Sequence, residues 1–315
     1  MILSRAHMAI SPDIMAGRRP STPEYVLPKV QFVPDPEPHL QANELAGQRW
    51  IVTGAGRENG IGAAIVNLAL MRGAHVLFTA TPWGSEEAMK LRDGYREKGF
   101  NADLYIGNLR EESVAKSLME EAIRVMGGVD VVVNDAGKTF DGDSRQRTRS
   151  EYQEAAELGL FAPFEIKQAA IEQFIAQGRD GGLVVDINSV AREGNRWQAI
   201  YASLKAGLRA QNQSLSDEFA RRYKIRFVDI ESGLVLGTNM TIDITPGLQK
   251  SLVELPGGER DVYRVEVAQA VAIAASPRRS NNITRTTLQV IGGEDYDKYM
   301  IVPQEKPQNP EQTAA

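Results

Sequence analysis

The chain of 315 residues contains no cysteine. A disulfide framework and a thiolate-ligated zinc are therefore excluded, and no metal site is expected. The same absence suits a reducing compartment, so a cytoplasmic location is expected. No apolar run approaches the ~20 residues that a membrane helix needs, and no membrane partner is expected. Basic residues are not in excess: 36 Lys and Arg stand against 41 Asp and Glu, a formal charge of −5. That balance argues against a nucleic-acid-binding surface covering the molecule. What is present is ordinary for a globular chain, with 42% hydrophobic and 24% charged residues.

Residues 1–46 hold seven of the fifteen prolines and show no helical or strand period. Prolines at that density keep a chain extended, and a targeting peptide would need an apolar stretch that is lacking. The segment reads as an arm that wraps the domain or a neighbouring subunit. Residues 303–315 read as a polar tail. Between them, 47–302, short β-branched runs alternate with longer amphipathic stretches. Strands are expected at Trp50–Thr53, His75–Thr79, Asp103–Ile106, Asp130–Asn134, Leu183–Asn188, Arg226–Ile230 and Thr287–Ile291. Helices are expected at Ile61–Arg72, Glu86–Lys98, Glu112–Met126, Ser150–Gln177, Ala202–Tyr223 and Val262–Ala275. Alternation at this spacing implies parallel strands joined by right-handed crossovers. Runs such as Val131-Val132-Val133 suit strands covered on both faces. The expected fold is α/β: one Rossmann-type doubly wound parallel sheet of about seven strands, with helices on both faces.

The first strand runs into Thr53-Gly54-Ala55-Gly56-Arg57-Glu58-Asn59-Gly60-Ile61-Gly62 and then a helix. Glycines allow close approach to a pyrophosphate, and the helix N-terminus offers unpaired N–H groups. A glycine-rich turn in this context indicates a dinucleotide site, with Gly54, Gly60, Ile61 and Gly62 as candidate contacts. An NAD site usually carries an acid about 20 residues beyond the glycines. Here the second strand ends Thr79-Ala80-Thr81-Pro82, with no acid before Glu86. Arg57 with Thr79 or Thr81 can bind a 2′-phosphate instead, which favours NADP and NADPH. The alternative for Arg57 is a solvated loop residue.

Tyr201-Ala202-Ser203-Leu204-Lys205 places Tyr and Lys on one helix face, one turn apart. A phenol has an unperturbed pKa of ~10, and a neighbouring ammonium favours its ionised form. Tyr201 is then a usable acid or base, and Lys205 can also hold ribose hydroxyls. Alone, such a pair is commonly a surface lysine beside a packed tyrosine. Ser189, however, ends the strand Leu183–Asn188 twelve residues earlier, on the side where parallel sheets bind ligands. Ser189 can hydrogen-bond a substrate carbonyl while Tyr201 delivers a proton. Trp197, between them, is either a substrate-pocket wall or packing against a lid expected over Gly237–Tyr263.

With glycine loop, Ser and Tyr-x-x-x-Lys in this order, the chain resembles the short-chain dehydrogenase/reductase family over about residues 47–302. It is most similar to 3-oxoacyl-acyl-carrier-protein reductases, on Thr79-Ala80-Thr81, Asn108 and Lys205-Ala206-Gly207-Leu208. The resemblance implies NADPH-dependent reduction of a ketone, on a small-molecule or acyl-carrier-protein-bound carbonyl, by a homotetramer. It further implies cofactor contacts from Asn108, Leu109, Asn134, Ala136 and Gly137, and from Gly233 and Thr238 after the sixth strand. Arg222 is similar in position to a residue that docks the carrier protein; a solvated arginine fits equally. Three departures stand out. Gly159 takes the place of a proton-relay asparagine, Asp135 replaces the second asparagine of an Asn-Asn-Ala-Gly segment, and Ser232-Gly233 replaces Pro-Gly. They leave open a non-catalytic NADP-binding scaffold or sensor, and the sequence sets no direction against an alcohol dehydrogenase working oxidatively.

Overall fold

The computed structural model describes residues 43–178, 181–235, 238, 240–241, 262–277, 280 and 284–291. All belong to the unit Gln41–Ala315, into which the chain divides after Leu40. The Pro-rich arm up to residue 42, the tail 303–315 and most of the expected lid lie outside the described residues.

Seven strands form one parallel sheet: β1 (Arg49–Val52), β2 (His75–Ala80), β3 (Ala102–Ile106), β4 (Val131–Asn134), β5 (Gly182–Ser189), β6 (Ile225–Ser232) and β7 (Thr286–Val290). Their order is β3-β2-β1-β4-β5-β6-β7. The helices are α1 (Ile61–Met71), α2 (Ser85–Glu97), α3 (Val114–Met126), α4 (Arg149–Ala156), α5 (Ala162–Ala176), α6 (Ala199–Tyr223) and α7 (Arg264–Ala275). Side-chain alternation along the strands feeds two separate cores. Trp50 and Val52 pack with α1 and α7 on one face. Ile51 packs with α3 and α5 on the other. Strand order reverses between β1 and β4, where a crevice opens at the carboxyl ends. The doubly wound α/β expectation holds.

Several element bounds shift by one to three residues, and two of the differences have a local cause. The long helix Ser150–Gln177 is interrupted by a π turn, Glu157–Phe161, between α4 and α5. Pro163 in the first turn of α5 has no N–H to donate to the Gly159 carbonyl, so regular helical bonding cannot pass this point. The helix expected from Val262 starts at Arg264, because Val262 bridges Val235 and the Tyr263 N–H donates to the Glu266 carboxylate at 2.6 Å.

The inner faces of β4, β5 and β6 change character toward the crevice. Val132, Val184 and Phe227 are apolar; two residues on, the same face presents Asn134, Asp186 and Asp229, all buried. Lys167 of α5, itself fully buried, pairs with Asp186 at 2.5 Å. Asn134 donates to Asp186 at 2.8 Å, while Asn188 and Asn212 both donate to Asp229 at 3.1 Å. Burial, with the Asp186 charge beside it, pushes Asp229 up to about 7. An acid raised this way stabilises the fold fully below the ordinary carboxylate range, and that contribution is lost as pH rises to about 7. Relative to wild type, Asp229→Asn should therefore gain stability between about pH 4 and 7 and then level off. Calorimetric Tm values across that range check it; a constant difference between the two proteins would contradict it.

Candidate active site

The site is built from the carboxyl ends of the strands. After β1 the chain turns at Gly54 with φ of 70°, and a Cβ there would lie 2.7 Å from the Ala136 Cα. Only glycine fits both demands. The Gly54 N–H donates to the Thr79 hydroxyl at 3.1 Å, so this buried threonine anchors the loop as well as lining the cleft. Thr53, also buried, accepts from the Asp135 and Ala136 N–H groups at 3.1 and 3.2 Å. One hydroxyl thus ties the end of β1 to the end of β4.

These turns border a cleft of about 720 Å³, within the size range of cofactor pockets. Gly54, Arg57, Gly60, Ile61, Thr79, Thr81, Asn108, Leu109, Ala136, Gly137 and Thr238 all line it. Five expected contacts are not among its lining: Gly62, Asn134, Gly233, Tyr201 and Lys205. Gly62 is turned toward Asp135 and Ala55, where a Cβ would find no room. Asn134 points its side chain down to Asp186 and steadies the sheet. Gly233 donates its N–H to Val290 at 2.8 Å, continuing the ladder to β7. The lining also includes Trp83, Arg110, Asp135, Lys138, Glu154, Leu158 and Met240. Arg110 and Lys138 reach Glu154 at 3.2 and 2.8 Å, joining the loops after β3 and β4 to α4. These are single loop and helix residues without motif spacing, which gave the sequence no handle on them.

Ser189 ends β5, and Tyr201 and Lys205 lie in the first turns of α6. The Lys205 ammonium donates to the Ile187 carbonyl at 2.6 Å, two residues before Ser189 on the same strand. The same nitrogen lies 5.5 Å from the Tyr201 ring centroid. Ser189 is buried, and its hydroxyl accepts from the Ala191 N–H at 3.2 Å. Asn188 sets the geometry: its carbonyl oxygen accepts from the Ser189 N–H at 2.8 Å, and its amide donates to the Lys205 carbonyl at 3.2 Å and to Asp229. Gly159 sits in the π turn, where an added Cβ would meet only Leu204 at 3.5 Å. Trp197 has φ of 68°, an uncommon conformation for an aromatic residue. Its carbonyl accepts from the Gly142 N–H at 2.8 Å. Arg222 is exposed in the last turn of α6, roughly 30 Å along the helix from Tyr201 at 1.5 Å per residue.

Comparison with known proteins decides the family, since the short chain dehydrogenase profile matches residues 48–249. The chain belongs to the short-chain dehydrogenase family. This short-chain dehydrogenase is 33% identical over 260 residues to the 3-oxoacyl-[acyl-carrier-protein] reductase of Vibrio cholerae, a match covering 82% of the chain and 99% of the relative. Among solved structures it is similar to a short chain dehydrogenase from Burkholderia cenocepacia in complex with NADP. The TM-score is 0.71 at 25% identity, over 80% of this chain and 99% of that one. It is likewise similar to a blue fluorescent protein from a metagenomic library in complex with NADPH. Here the TM-score is 0.71 at 28% identity, over 79% and 98% of the two chains. The dehydrogenase is thus an oxidoreductase of CH–OH and C=O groups.

The Thr53 tie generates a prediction. Thr53→Val keeps the shape but leaves the Asp135 and Ala136 N–H groups without their acceptor, at a cost of about 1–3 kcal/mol for each buried donor. Denaturant unfolding should show a lower midpoint for Thr53→Val, and titration should show weaker NADPH binding. Wild-type values for both would contradict the assigned role.

Proposed function

We propose that this protein is an NADPH-dependent ketoreductase acting on a 3-oxoacyl thioester or a similar carbonyl. The observation that carries the reading is the Lys205 ammonium, bonded to the strand that ends in Ser189 and set against the Tyr201 ring. The cleft fits a dinucleotide. It has the volume, a glycine turn at Gly54 that a side chain would block, and an α1 N-terminus at its floor.

When bound, NADPH supplies the hydride to the carbonyl carbon. Ser189 donates a hydrogen bond to the carbonyl oxygen and fixes its position. Tyr201 delivers the proton to that oxygen as it becomes an alcohol, and Lys205 orients the phenol and holds the ribose. The reverse sequence oxidises an alcohol with the same residues. Arg57 and Thr81, on the wall where β2 is followed by no acid, take the 2′-phosphate. Trp197 walls the substrate side, and an acyl carrier protein that docks at Arg222 presents its substrate from outside the cleft. The protein works in the cytoplasm as a homotetramer; the exposed Phe161 and Phe164 beside the π turn are apolar surface suited to a subunit contact.

Purified protein should consume NADPH in the presence of β-ketoacyl thioesters or small diketones. Tyr201→Phe should lose at least about a hundredfold in kcat, the usual scale of a general acid, with its NADPH Kd nearly unchanged. Turnover by Tyr201→Phe at the wild-type rate would contradict the assignment, and NADPH binding without turnover across a carbonyl panel would favour a scaffold or sensor. Arg57→Ala should weaken NADPH binding about tenfold, equivalent to ~1.4 kcal/mol, and leave NADH binding unaltered. Equal losses for both cofactors would contradict the 2′-phosphate role.

A further inference from the structure

Asp135 places an ionisable group inside the cofactor cleft, at a point where the resemblance led to a neutral asparagine. Its backbone is fixed, because Thr53 accepts from its N–H and from that of Ala136. From there the side chain reaches across the end of β1 to the first turn of α1. One carboxyl oxygen lies 2.7 Å from where a Gly62 Cβ would stand, which sets the carboxyl against the Gly62 N–H and favours its ionised form. That N–H is one of those a helix leaves unpaired at its N-terminus. Gly60 at the N-cap supplies no side-chain partner for the turn. The acid therefore occupies an amide of the same helix end that attracts phosphate.

The charges around it divide cleanly. From α6, the Lys205 ammonium favours the ionised acid, as does the Gly62 N–H from α1. From the cleft walls come Arg57 of the glycine loop, and Arg110, Lys138 and Glu154, which are paired among themselves. Burial outweighs Lys205 and the amide, and pushes Asp135 up to about 7. At neutral pH the group therefore stands between its two forms.

We propose that Asp135 couples cofactor binding to a proton: its neutral form admits the pyrophosphate to the α1 N-terminus, and its carboxylate opposes it. The inference rests on the dinucleotide reading above. A pyrophosphate beside the acid favours the acid's neutral form, and by reciprocity the neutral form favours the pyrophosphate. Binding above pH 7 then takes up a proton at Asp135, while binding well below pH 7 takes up none there. The affinity falls by up to tenfold for each pH unit above 7, until the acid titrates in the complex as well.

The test is titration calorimetry of the full chain with NADPH from pH 6 to 9, in buffers of different ionisation enthalpy, beside Asp135→Asn. NADH, which lacks the 2′-phosphate, serves as a second probe, so that ionisation of that phosphate does not enter. Near pH 8 the wild type should take up a substantial fraction of a proton with either probe. Asp135→Asn should take up less by that fraction and bind more tightly than wild type. Equal proton uptake and parallel pH profiles in the two proteins would overturn the inference while leaving the dinucleotide site intact. Absence of NADPH binding by the wild type at every pH would overturn the dinucleotide reading itself and this inference with it. Asp135→Ser is the replacement should the asparagine variant not fold; if neither folds, wild-type NADH binding without proton uptake near pH 8 overturns the proposal.

Discussion

The arrangement depends on a buried polar column between the sheet and helices α5 and α6. Asp186, Asp229 and Lys167 are taken out of water together, a costly step unless each charge finds partners. The asparagines supply them. Asn134 donates to Asp186 and Lys167 pairs with it, while Asn188 and Asn212 donate to Asp229. Asn188 is shared with the layer above, where its side chain also holds the Ser189 N–H and the Lys205 carbonyl. The network that folding must satisfy is therefore the one that sets the hydroxyl and the amine.

A second constraint acts where strand order reverses between β1 and β4. Thr53, Gly54, Gly62 and Asp135 hold two loops closer than side chains would normally allow. This close approach leaves a crevice with room for a dinucleotide. The acid at this crossing also draws on Lys205, so the cofactor cleft and α6 share one electrostatic environment.

Much of this was legible in the sequence because it obeys periodic rules. Strand–helix alternation, the glycine loop and the four-residue spacing of Tyr201 and Lys205 pointed to the fold, the crevice and the neighbourhood of these two side chains on one helix face. What escaped was non-periodic. Pro163 lies inside a continuous amphipathic pattern, and its missing N–H, not any change in that pattern, breaks the long helix. Asn134 and Gly233 belong to recognisable segments, yet their orientation is fixed by strand register, which sends them to Asp186 and β7. Lys167 and Asp229 look like ordinary charges until the packing of α5 and α6 buries them. Arg110, Lys138 and Glu154 meet only because three separate loops and helices end at one wall.

The polar column is expected to hold Ser189, Tyr201 and Lys205 around one reacting carbon. A crystal structure of the complex with NADP and a ketone analogue tests it most directly. The analogue's oxygen should be bonded to both the Ser189 and Tyr201 hydroxyls, with its carbonyl carbon facing the nicotinamide ring and the Lys205 ammonium on the ribose. A nicotinamide bound away from Tyr201, or an analogue whose oxygen touches neither hydroxyl, would contradict it.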